Sequence, residues 1–124
     1  MLSLNLSGNK PIHEQITDEI ESLIIKGILE KDQPLPSVRE LACSLAVNPN
    51  TVQKAYTTLE QKGVTYSVNG KGRFVAVSDN ELRNILATSV FEELGHTAKK
   101  LKDYGFSLSE VEACIKKIFE EEGK

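Results

Sequence analysis

Two stretches decide how this chain folds: Pro36-Ser37-Val38-Arg39-Glu40-Leu41-Ala42 and Asn48-Pro49-Asn50-Thr51-Val52-Gln53-Lys54-Ala55-Tyr56. Ser37 stands before the apolar set Val38, Leu41, Ala42 and Leu45, and Glu40 follows it by three residues. A serine hydroxyl can accept from the amide three residues on, while the glutamate answers the serine amide, so a capped helix starts here. Ala46-Val47 makes a tight turn. Asn48 then caps a second helix with Pro49 at its first position, where a missing N–H costs nothing. At about 100° per residue, Val52, Ala55, Tyr56 and Leu59 share one side of that helix. The opposite side carries Asn50, Lys54, Thr57 and Gln61, flanked by Gln53, and Gly63 ends the helix. Two short helices joined in this way, the second with a polar outer face, read as a helix-turn-helix.

Downstream, Val64, Tyr66 and Val68 alternate with Thr65 and Ser67 up to the turn dipeptide Asn69-Gly70, and Phe74-Val75-Ala76-Val77 returns. This pattern predicts a β-hairpin. A hairpin placed directly after a helix-turn-helix reads as the wing of a winged helix. Its tip, Asn69-Gly70-Lys71-Gly72-Arg73, combines glycines that permit close backbone approach with two cations suited to phosphate oxygens.

Upstream, Leu2, Leu4 and Leu6 alternate with polar residues as a short extended segment. Pro11 opens a helix whose stripe is Ile12, Ile16, Ile20, Leu23 and Ile24, with Glu14, Asp18 and Glu21 expected outside it and Gly27 at its end. Lys31-Asp32-Gln33-Pro34-Leu35-Pro36 reads as a turn-rich connector. Beyond residue 77 two helices are expected. The first carries Leu82, Ile85, Leu86, Val90, Leu94 and Leu101, with Phe91 beside them and Gly95 weakening it. Tyr104-Gly105 separates it from a second, capped by Ser107 and Glu110, with Leu108, Val111, Ile115, Ile118 and Phe119 at helical spacing.

The net charge of −3 over 124 residues argues weakly against a nucleic-acid partner. Its distribution argues the other way. Residues 36–73 hold Arg39, Lys54, Lys62, Lys71 and Arg73 against only Glu40 and Glu60. Screening confines the influence of distant acids to about 8–10 Å, so a local basic surface can still hold phosphates. No apolar run is long enough to span a membrane. The start of the chain lacks the basic and apolar regions of a signal peptide, and a cytoplasmic protein is expected. Cys43 and Cys114 are too far apart in sequence to suggest a metal site and are expected to be reduced and packed in helices. His13 and His96 are isolated from other metal-ligand candidates and are expected to be partly exposed helix residues. No acid, base or nucleophile is clustered, and Gly70-Lys71-Gly72 is too short for a phosphate loop. No enzyme, cofactor or metal site is expected.

The sequence resembles the GntR family of bacterial transcription regulators. Residues 35–42, Asn50 to Tyr56, Leu59-Glu60, Gly63 and Gly70 to Val75 carry the likeness in the right order, and residues 11–16 resemble that family's opening helix. The resemblance implies DNA contacts at Ser37 and Arg39, at Asn50, Thr51 and Gln53, and at Asn69 and Gly70. The residues themselves add Lys54, Lys71 and Arg73. Many members have arginines where this chain has Pro49 and Gln53, which leaves the operator sequence open. Residues 78–124 are expected to be too few for the enclosed effector pocket of larger members, and the short helical tail resembles the YtrA subfamily, whose tail serves dimerisation.

The expectation is thus an α+β, mainly α, protein. Residues 1–77 form a winged helix-turn-helix and residues 78–124 a two-helix dimerisation tail. Its function would be that of a DNA-binding transcriptional regulator, read as a repressor. As a homodimer it would bind double-stranded DNA at a pseudo-palindromic operator, with any small-molecule effector unknown. Tyr56 is expected to pack in the core, its hydroxyl free to reach a phosphate. A winged helix that binds only protein is the competing reading.

Overall fold

The computed structural model describes residues 8–122, so the alternating leucines of the first six residues lie outside the described part. The elements, in order, are α1 (Ile12–Ile25), α2 (Val38–Leu45), α3 (Pro49–Gln61), β1 (Thr65–Val68), β2 (Gly72–Val75), α4 (Asp79–Asp103) and α5 (Leu108–Glu122). They form two compact units that divide within α4, after Ile85.

In the first unit α1 and α2 both pack on α3. Ile16, Ile20 and Ile24 of α1, Leu41 and Ala42 of α2, and Val52, Ala55, Tyr56 and Leu59 of α3 are buried, and so are Val64, Val75, Val77 and Leu82 beyond them. The helical stripes predicted from spacing are therefore the core. Leu82, in the second turn of α4, is completely buried, which explains why the first unit reaches past residue 77. Ser78 and Glu81 start α4 with a capping box: the Ser78 amide donates to the Glu81 carboxylate at 2.9 Å and the Glu81 amide to the Ser78 hydroxyl at 3.2 Å.

Three expectations are corrected here. Glu21 does not lie outside the α1 stripe. It is 6 % exposed and ion-paired with Lys62 at the end of α3. The carboxylate tolerates burial because a cation and a hydrogen bond come with it. Cys43 and Cys114 do lie on helices, but both are solvent-exposed, not packed. The 31–36 connector is more than a turn. Its Asp32 amide donates to the Val75 carbonyl at 2.7 Å, Val75 returns a bond to Gln33 at 3.0 Å, and the Leu35 amide donates to Arg73 at 2.9 Å. The connector thus extends the antiparallel β1–β2 hairpin by an edge segment, and Pro34 sits there without a ladder donor, as edges allow. Asp32 reaches this position with φ +69°, a left-handed value that aspartate tolerates better than bulky residues do.

In the second unit α5 starts at the expected Ser107–Glu110 capping box, and α4 runs unbroken through Gly95. The apolar stripes are largely uncovered within the single chain: Phe91, Leu108 and Phe119 are 69 %, 75 % and 74 % exposed. His96 is exposed and His13, in the first unit, is half-buried.

Candidate nucleic-acid interface

The start of α2 is built as the sequence predicts. The Glu40 amide donates to the Ser37 hydroxyl oxygen at 3.0 Å, and the Ser37 amide to the Glu40 carboxylate at 2.9 Å. Both contacts hold the Glu40 carboxyl below its ordinary range, the backbone amide contributing more than the hydroxyl. Arg39 follows on the exposed side of α2.

Ala46 makes the turn in the left-handed conformation, with φ +56°. Asn48 caps α3 by accepting the Asn50 amide at 2.8 Å. Asn50, Gln53 and Lys54 are exposed and Thr51 is half-buried. At 100° per residue Asn50, Gln53, Lys54 and Thr57 occupy one outward sector opposite the buried set. The Gln53 amide donates to the Thr57 hydroxyl at 3.1 Å.

At the wing, the Lys71 amide donates to the Val68 carbonyl at 3.0 Å, and Gly70 takes φ +78°. A type II turn needs that left-handed value at its third position. Asn69, Gly70 and Lys71 are exposed at the tip. Arg73 is not a tip residue. Its guanidinium donates to Glu60 at 3.2 Å and lies 5.3 Å from the centroid of the Tyr56 ring. Ser67 donates to the same Glu60 oxygen at 2.6 Å.

The Tyr56 hydroxyl does not reach outward. It donates to the Pro36 carbonyl at 2.7 Å, and burial pushes the phenol up to about 12, Arg73 pulling weakly the other way. Tyr56 therefore ties together the three elements that carry the candidate residues. It sits in α3, bonds to the residue before Ser37, and lies under the arginine that anchors the wing to Glu60. Spacing revealed that Tyr56 faces inward, but nothing in the sequence names Pro36 as its partner.

The five cations of residues 36–73 thus divide. Lys62 and Arg73 are neutralised by Glu21 and Glu60. Arg39, Lys54 and Lys71 have no ion-pair partner among the described residues. One lies on α2, one on α3 and one on the wing. No group of three or more histidine, cysteine or acidic side chains that could hold a metal is present among the described residues, and among them no helix is long and apolar enough to cross a membrane.

Residues 12–75 match the family described as bacterial regulatory proteins, gntR family. Over 121 residues the chain is 34 % identical to the HTH-type transcriptional repressor YtrA of Bacillus subtilis, covering 95 % of this chain and 92 % of that one. A transcriptional antiterminator from Listeria monocytogenes has a crystal structure similar over 100 % of this chain and 90 % of its own, at TM-score 0.67 and 32 % identity. The DNA-binding domain of AraR, solved in complex with operator ORX1, matches 60 % of this chain and 96 % of its own at TM-score 0.55 and 35 % identity. With its winged helix-turn-helix and YtrA-like length, the chain belongs to the GntR family of bacterial transcription regulators.

Proposed function

We propose that the chain is a homodimeric repressor that grips a pseudo-palindromic operator with one winged helix-turn-helix per half-site. The observation that carries this is the division of cations: the ones left unpaired in residues 36–73 lie one each on α2, α3 and the wing tip. Unpaired cations on three converging elements suit a phosphate backbone, whereas paired ones hold the fold. In this reading α3 enters the major groove, with Asn50, Thr51, Gln53 and Lys54 at its leading end. Ser37 and Arg39 approach the backbone beside it, and Asn69, Gly70 and Lys71 reach the flanking groove or phosphates. Arg73 acts from behind by holding the wing to α3. That the related AraR DNA-binding domain was solved in complex with an operator supports duplex DNA as the partner.

The first unit, which takes in the start of α4 through Ile85, serves as the DNA-binding part, and the helices beyond it as the dimerisation tail. Exposed apolar side chains in the second unit, Phe91, Leu94, Ile118 and Phe119 among them, support pairing with a second copy. Uncovered apolar surface on this scale marks an association face, and a two-fold dimer mirrors a two-fold operator. We place the protein in the cytoplasm, where its DNA is. Light scattering of the protein with a duplex carrying its site tests the assembly. Two chains per duplex is the expected result, and one chain per duplex contradicts it.

A further inference from the structure

We infer that Gln53 reads an adenine in each operator half-site and that Thr57, one turn further along α3, is the positioning residue that presets it. The inference rests on the DNA-binding reading above and deepens it.

The leading end of α3 carries no arginine. Pro49 occupies its first position and offers no side-chain donor, leaving Asn50, Thr51, Gln53 and Lys54. The Gln53 amide nitrogen donates to the Thr57 hydroxyl oxygen at 3.1 Å, and since a hydroxyl can donate or accept, either orientation of the amide leaves it one spare donor and one spare acceptor. The carbonyl oxygen is left as an open acceptor. The NH2 group has two protons, and Thr57 takes one, so a second stays available. One acceptor and one donor side by side match the N6 amino group and N7 of adenine in the major groove. Guanine offers two acceptors on that edge, and neither cytosine nor thymine offers an adjacent acceptor and donor. Without the threonine, a glutamine on an exposed helix face would have to be ordered on binding, and that ordering opposes affinity. The pair is spaced i, i+4, so the helix itself holds the two side chains in register.

Selection of binding sites from a randomised duplex pool tests this with wild type, Gln53→Ala and Thr57→Val. Wild type should return an A·T pair at one fixed place in each half-site, and replacing it should weaken binding by about 5- to 150-fold. At that place 7-deaza-adenine, which lacks only N7, should weaken wild type but not Gln53→Ala. Thr57→Val should lose discrimination at that base pair while keeping its affinity for unrelated duplex at the same salt, a split that misfolding would not produce. A selected motif identical for wild type and Gln53→Ala overturns the adenine contact. Full discrimination in Thr57→Val overturns the positioning role. If no duplex is enriched at all, the DNA-binding reading fails, and this inference fails with it.

Discussion

The Tyr56 hydroxyl donates to the Pro36 carbonyl at 2.7 Å across 20 residues of sequence. It fixes α3 against the start of α2, one residue before Ser37 and three before Arg39. Tyr56→Phe removes the bond and keeps the packed ring. We expect a loss of about 1 kcal/mol in urea unfolding. The phenol gives a second readout. Its folded value is raised from 10 to about 12, so its burial supports the fold fully below pH 10 and progressively less as pH rises towards 12. Absorbance titration of the native protein should show a late phenolate step near pH 12 that is missing in Tyr56→Phe.

The paired and unpaired cations should separate in mutants. Arg39→Ala, Lys54→Ala and Lys71→Ala should each reduce the slope of log affinity against log salt by about 1 for every phosphate no longer neutralised, with the melting temperature unchanged. Arg39→Ala should weaken duplex binding by about 1–3 kcal/mol. Lys62→Ala should instead leave the slope unchanged and destabilise the fold by about 1–3 kcal/mol, because Glu21 is then buried without its partner. Equal salt slopes for Arg39→Ala and wild type would remove Arg39 from the interface.

Three helices start at a serine–glutamate capping box, and the carboxyls of Glu40, Glu81 and Glu110 are all held below the ordinary 4.5, chiefly by the amides of Ser37, Ser78 and Ser107. A depressed folded value means that the caps contribute fully above the unfolded range and are lost as pH falls through the folded values. Helical circular dichroism should therefore hold steady down to about pH 5 and decline below 4.5. Glu40→Gln, which keeps an acceptor but no titrating group, should flatten the contribution of α2 to that decline.

Charge placed on the exposed stripe of α5 should separate the subunits. Phe119→Asp and Ile118→Asp put carboxylates where the proposed partner surface is apolar, since both side chains are more than half exposed in the single chain. Light scattering should report monomers, with the winged unit still folded. A dimer of unchanged affinity would place the subunit interface elsewhere.

Most of the fold is legible in the sequence because it is written locally. The stripes Ile16–Ile20–Ile24 and Val52–Ala55–Leu59, the boxes at Ser37 and Ser107, and the Asn69-Gly70 turn each follow from spacings of a few residues. The box at Ser78 and Glu81 has the same spacing and was equally readable, but the apolar stripe beyond it dominates the local pattern. What sequence could not supply is pairing at long range. Glu21 lies 41 residues from Lys62, and on a helical wheel it falls beside the apolar stripe, where an exposed acid is the ordinary expectation. Arg73 lies 13 residues from Glu60, so a cation that reads as part of the wing tip turns out to anchor the wing. The connector joins β2 through backbone groups alone, and its two prolines masked that role. At the site itself, the outward set on α3 followed from periodicity, whereas the Gln53–Thr57 bond is a choice of rotamer that spacing permits without requiring.

Salt titration of duplex binding tests the central claim most directly. The three unpaired cations of residues 36–73, doubled in a dimer, predict that log affinity falls against log salt with a slope of about −5 if each meets one phosphate. A steep negative slope of that order is the expected result. Binding that is absent at low salt, or indifferent to salt, would contradict the account and leave a winged helix that recognises protein.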